Sequence, residues 1–262
     1  MSNIKSGTSE NFIDRLIAYV DEFDSCWKKK IIPASNCQID EIYNSSCLRD
    51  EGLDLPKSYI QYLVNMGEDD GGLLFDNLHC ASTNLSMIIK NYQEVIGYEE
   101  VDEDCDDFTN PYKFVFAYNE ECSCGYYIET LNNGKQVISD YEDRSYGREY
   151  LSENFEKLVF QSAYYKYNHK KYRCSIAFTI ANKEIELLNE FEKIFSDLGY
   201  TKLWISDKSQ YIGETQKSSV ILKKGYHFYG QISCDSEYEI MNLVKKIEKI
   251  AIIEEKSLRE LN

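Results

Sequence analysis

Residues 53 to 72 read LDLPKSYIQYLVNMGEDDGG, and this stretch decides how the first half of the chain is read. Pro56 belongs at a helix start, where its missing N–H costs nothing. Tyr59, Tyr62, Leu63 and Met66 then recur at helical spacing. Gly67 is expected to stop the helix in the left-handed conformation. GEDDGG is no phosphate cradle, because it sets carboxylates where bare N–H groups and a Lys are needed. It is also too short for a calcium loop with alternating oxygen ligands. The stretch therefore reads as helix, turn and entry into a strand.

Working outward, Phe12, Leu16, Ile17, Val20, Phe23 and Trp27 mark one face of an amphipathic helix over 9–27. After Pro33, Ser35 or Asn36 caps a second helix bearing Ile39, Ile42 and Tyr43. LLFDNLHC (73–80) reads as a strand and NLSMIIKNYQEVIG (84–97) as a helix. YKFVFAYN (112–119), GYYIETL (125–131) and KQVISDY (135–141) read as strands, the last two joined by Asn132-Asn133-Gly134 as a hairpin. Leu151, Phe155, Leu158, Val159 and Ala163 mark a further helix with Ser152 as its candidate cap.

A second module begins near Lys170. YRCSIAFTI (172–180) alternates, KEIELLNEFEKIFSDLG (183–199) is a helix stopped by Gly199, and TKLWIS (201–206), SSVILK (218–223) and HFYGQIS (227–233) read as strands. Asp235 or Ser236 caps a last helix carrying Ile240, Leu243, Val244, Ile247 and Ile250. The expected class is α+β: an antiparallel sheet flanked by helices in residues 1–165, then a smaller α+β sandwich in 166–262 with helices on one face of its sheet.

Charge divides the chain at the same place. Residues 1–165 hold 13 basic and 31 acidic residues, a net of -18, and residues 166–262 hold 16 and 14, a net of +2. Such acidity repels nucleic acid backbones and anionic membranes and is complemented by a basic protein. The start MSNIKSGTSENF has no apolar signal segment, and no apolar run approaches the roughly 18 residues that a bilayer span needs. A soluble, cytoplasmic protein with its 9 cysteines reduced is expected.

Motifs for chemistry are sparse. His79, His169 and His227 stand apart from one another and from any Cys at metal-ligand spacing, and Cys122 and Cys124 read as turn thiols. No cofactor, metal or catalytic residue is expected, although Tyr211, His227 and Tyr229 leave an enzyme as a lesser alternative. The run EEVDEDCDD (99–107) has two readings, a solvated loop or an electrostatic landing surface. On the second, the partner-binding residues are Glu99, Glu100, Asp102, Glu103, Asp104, Asp106 and Asp107, with Asp69 and Asp70 adding to them.

The order of signals resembles the SUKH superfamily of bacterial immunity proteins and fungal cell-wall-synthesis regulators. IPASNCQIDEI (32–42) is similar to that family's polar helix opening, and LDLPKSYIQYLVNMGEDDGGLL (53–74) to its proline, tyrosine and glycine hallmark. YKFVFAYNEECSCGYYIET (112–130) resembles its central strands and QVISDYEDRSYGREYLSENFEKLVF (136–160) its closing strand and helix. The likeness covers roughly residues 9–162 and leaves 170–262 without a family. It implies binding without catalysis: bacterial members neutralise a cognate toxin, often a nuclease, by direct contact. The partner implied is a basic protein toxin, with no direct nucleic acid and no membrane. The alternative is a regulatory or scaffold protein whose C-terminal module binds a ligand or a second protein.

Overall fold

The computed structural model describes residues 11–46, 48, 52–96, 110, 112–121, 124–140, 150–180, 186–224, 228–249 and 251–260. The fold is α+β, with antiparallel sheets and flanking helices. The chain forms two compact units that meet in sequence at Ala163 and Tyr164. No helix among the described residues is long and apolar enough to cross a membrane.

The first unit begins with α1 (Phe12–Asp21), capped by Asn11, and a 3-10 turn, Trp27–Lys29. Trp27 therefore lies outside the first helix, which ends earlier than the apolar pattern suggests. β1 (Ile31–Ile32) leads to α2 (Asn36–Ser45). There Ser35 and Gln38 form a capping box, each side chain satisfying an amide of the other's residue. α3 (Lys57–Met66) starts behind Pro56, and β2 (Asp69–Asp70) pairs antiparallel with β1. α4 (Leu85–Ile96) follows, held at its start by Asn84, whose Oδ1 accepts from Met87 N at 2.9 Å.

Two expectations fail in this region. Residues 73–80 form turns, not a strand. Leu73, Leu74 and Leu78 are buried there, but a short apolar run does not distinguish a strand from a packed turn. Gly67 ends α3 in the right-handed region, φ -70°. Glycine is needed for closeness instead: a Cβ there would lie 2.8 Å from Leu63 O and 2.9 Å from Ala34 Cβ.

β3 (Lys113–Asn119), β4 (Cys124–Thr130), β5 (Gln136–Asp140) and β6 (Tyr150–Ser152) form a four-stranded antiparallel sheet in that order. The Asn-Gly turn is present, with Gly134 at φ +75°. α5 (Phe155–Ala163) packs on β5, β6 and α3. Its cap is Asn154, whose Oδ1 accepts from Lys157 N at 2.9 Å. Ser152, expected as the cap, lies on β6 opposite Ile138. Rings of Tyr59, Tyr62, Phe114, Phe116 and Phe155 meet edge-to-face or offset at 4.9–6.3 Å and fill the core under α3.

The second unit opens with a π-helical turn, Tyr164–Asn168, and a 3-10 turn, His169–Lys171. β7 (Cys174–Ile180), α6 (Glu186–Asp197), β8 (Thr201–Lys202), β9 (Gln210–Glu214), β10 (Ser218–Lys223), β11 (Phe228–Cys234), α7 (Glu237–Ile247) and β12 (Ile253–Glu260) complete it. The sheet order is β12-β7-β11-β10-β9-β8, all antiparallel. α6 and α7 cover one face through Phe191, Phe195, Ile240, Val244 and Ile247, packed on Ile176, Phe178, Val220 and Ile232. The strand expected over 201–206 stops at Lys202, because Ser206 exchanges hydrogen bonds with Ile212 and folds the chain back. β9 and β12 carry too little regular apolar alternation to be read in advance.

Candidate functional site

The acidic residues expected to bind a partner divide sharply. Asp69 is exposed, and its Oδ1 accepts from Gly71 N at 2.8 Å. Asp70 is only 5 % exposed and does not belong to an acidic surface. Its Oδ1 accepts from Leu73 N at 2.9 Å, its Oδ2 from Leu74 N at 3.0 Å and from the Tyr62 hydroxyl at 3.0 Å, and its carbonyl accepts from Trp27 Nε1 at 2.9 Å. Burial first, and the Asp70 carboxylate second, hold the Tyr62 hydroxyl well above its ordinary pKa, so Tyr62 stays a donor. The correction follows from strand geometry: successive residues of β2 point to opposite sides, so one of two adjacent aspartates faces inward. Glu99, Glu100, Asp102, Glu103, Asp104, Asp106 and Asp107 lie outside the described residues.

Next to Asp69 stands a carboxylate that the sequence reading passed over. Glu68 accepts from Gln38 Nε2 at 2.7 Å and from Ser86 Oγ at 3.0 Å, and its side chain and carbonyl both receive Asn84 Nδ2. Those bonds tie the starts of α2 and α4 to the end of α3. Glu120 and Glu121, in the turn that follows β3, are exposed as well.

The second unit carries a different polar arrangement on the sheet face away from α6 and α7. One ladder row crosses five strands: Glu214 on β9, Ser219 on β10, Ser233 on β11, Ser175 on β7 and Arg259 on β12. His169 lies across it. Its Nδ1 is 2.6 Å from Ser219 Oγ and its Nε2 is 2.8 Å from Ser233 Oγ. A neutral imidazole donates from one nitrogen and accepts at the other, so one serine accepts and the other donates. Burial first, and the Lys170 charge second, push the His169 pKa down to about 3, which keeps the ring neutral. None of the three side chains reaches solvent. The arrangement therefore fastens the 164–171 segment to the sheet and presents no nucleophile at a surface.

Beside this row the face opens into a cavity of about 400 Å³ lined by Ala177, Phe178, Thr179, Tyr229, Lys256 and Ser257. The Tyr229 hydroxyl donates to Gln231 Oε1 at 3.3 Å, and Gln231 Nε2 donates to Ser175 Oγ at 2.9 Å, linking the cavity to the serine row. Burial pushes Tyr229 up to about 12. Tyr211, grouped with Tyr229 in the enzyme alternative, points to the other face and packs against Phe195 in the helix-side core. The two tyrosines cannot converge on one substrate, and His227 lies outside the described residues. Among the described residues no three His, Cys, Asp or Glu side chains gather as a metal site.

The serine row was absent from the sequence reading. Its signal is modest: CSIAFTI, SSVILK and FYGQISC each place one serine, Ser175, Ser219 and Ser233, in the outward alternation, where a solvated face usually carries longer charged side chains. No protein-family description, no curated protein and no solved structure matches the chain.

Proposed function

We propose that the chain is a non-catalytic immunity protein of the SUKH type, which neutralises a basic toxin such as a nuclease by binding it directly. The observation that carries this reading is the net charge of -18 confined to residues 1–165, against +2 in the remainder. A nuclease is basic where it holds nucleic acid, and an acidic protein competes for that groove and is steered to it. The ordered helix, proline-tyrosine hallmark and hairpin strands supply the family likeness, and exposed Asp69, Glu120 and Glu121 are available to a partner.

The test uses the purified full chain as bait for the product of the neighbouring upstream gene, together with co-expression of the two in a growth assay. Complex formation and rescue of growth are expected. Absence of both would overturn the reading. A second reading, a regulatory or scaffold protein, is favoured by the cavity at Tyr229, which lies in the unit outside the family likeness. It is distinguished by binding that survives deletion of the acidic charges.

A further inference from the structure

We propose that Cys174 and Cys234 are a redox modification site, closing to a disulfide across β7 and β11 when the protein meets hydrogen peroxide. The two are direct partners in the antiparallel ladder. Opposite Cα atoms in such a pair stand about 4.5 or 5.5 Å apart, depending on the rung. Both separations fall within the span of roughly 4.4–6.8 Å that a disulfide bridges. Opposite residues also send their side chains to the same face, and both sulfurs sit in one apolar cluster under α7. Neither strand has to slip for the bond to form.

Burial sets the class of oxidant. Cys174 is 2 % exposed and Cys234 0 %. A bulky disulfide reagent is excluded from such a pair, whereas peroxide is little larger than water. The pair occupies the last rung of the β7–β11 ladder, flanked by exposed Arg173 and Asp235, so fraying of one rung admits the oxidant. Cys234 donates through its sulfur to Ser236 O at 3.0 Å, and burial raises its thiol above the ordinary range. The Ser236 carbonyl holds the Cys234 thiol proton, which assigns the first step to Cys174.

The chemistry balances without another reactant. The Cys174 thiolate attacks one peroxide oxygen; the S–O bond forms, the O–O bond breaks, and the departing hydroxide takes a proton to become water. The Cys234 sulfur gives its proton to solvent and attacks the sulfenic sulfur of Cys174. The S–S bond forms, the S–O bond breaks, and a second water leaves. Two thiols lose two electrons and two protons, and one peroxide is reduced to two waters. Exposed Cys26, Cys37 and Cys80 have no such ladder partner and act as internal references.

The full chain is treated with dilute peroxide, denatured, blocked with N-ethylmaleimide and digested without reductant for mass spectrometry. A peptide pair joined through Cys174 and Cys234, lighter by two hydrogens than its separate halves and released by dithiothreitol, is expected. The linked pair disappears in Cys174→Ser and Cys234→Ala. Maleimide on both Cys174 and Cys234 after peroxide, or linkage of either to another cysteine, would overturn the proposal. The decisive reading comes from the unsubstituted chain and does not depend on how the variants fold.

Discussion

Gly71 lies against the indole of Trp27: a Cβ added to Gly71 would stand 2.6 Å from Trp27 Nε1. The backbone at Gly71 is also left-handed, φ +65°. Contact and conformation therefore demand glycine together, and the carbonyl that receives the indole N–H belongs to the preceding residue, Asp70. Gly71→Ala is expected to destabilise the first unit by about 2–3 kcal/mol, combining strain with displacement of a buried ring. Urea unfolding followed by Trp27 fluorescence measures it, and a loss below about 0.5 kcal/mol would contradict the close approach.

The two adjacent aspartates are expected to behave oppositely. Asp70→Ala leaves two amides and a tyrosine hydroxyl without their charged acceptor and costs about 2–4 kcal/mol. Asp69→Ala costs about 0.5 kcal/mol or less, as an exposed turn residue does. On the immunity reading only Asp69 affects association, so Asp69→Lys slows binding with little change in melting temperature. Equal stability losses at both positions would contradict the inward orientation of Asp70.

His169 gives the second unit an unusual pH dependence. Its folded pKa, about 3, lies below the value of 6.5 of an unperturbed imidazole. As pH falls below 6.5 the unfolded chain binds a proton that the folded chain refuses. Stability from this group is thus fully present above 6.5 and is lost on acidification towards 3, by about 1.4 kcal/mol per pH unit. Carboxylates contribute below about pH 5, so the clean window is 6.5 to 5. Hydrogen exchange of β10 and β11 amides should show the slope in the native chain and its loss in His169→Gln.

Helix α5 distinguishes the cap in the structure from the one expected from sequence. Asn154→Ala removes the acceptor for Lys157 N and is expected to cost about 1 kcal/mol. Restoring Ser or Asp at 154 should recover most of that loss in thermal unfolding.

For the binding reading, charge reversal at Asp104 and Asp106 should lower the association rate with the toxin several-fold at low salt and flatten its salt dependence. Surface plasmon resonance across a salt series checks this. An unchanged salt slope would move the acidic contact elsewhere on residues 1–165.

Local chemistry made much of the fold legible. The Asn-Gly hairpin and Gly199 at φ +84° act within a few residues and read the same in sequence and structure, and of the cap pairs that the sequence offers the structure uses Ser35, joined by Gln38, and Ser236. What escaped depends on distant neighbours. Leu73 and Leu74 look like a strand start until the Asp70 carboxylate takes their amides. β12 sits at a sheet edge, where exposure removes the apolar alternation that marks an inner strand. Ser219 and Ser233 are unremarkable singly, and only the register puts both within reach of one imidazole.

That register makes residues 169, 219 and 233 one unit of inheritance. Valine at Ser219 alone strands a ring nitrogen in the interior, and leucine at His169 alone strands two hydroxyls. A lineage can leave this state only by exchanging all three together, for an apolar ring over two aliphatic residues. In any relatives of this unit, the three positions should therefore change in concert, although 50 residues separate the first from the second.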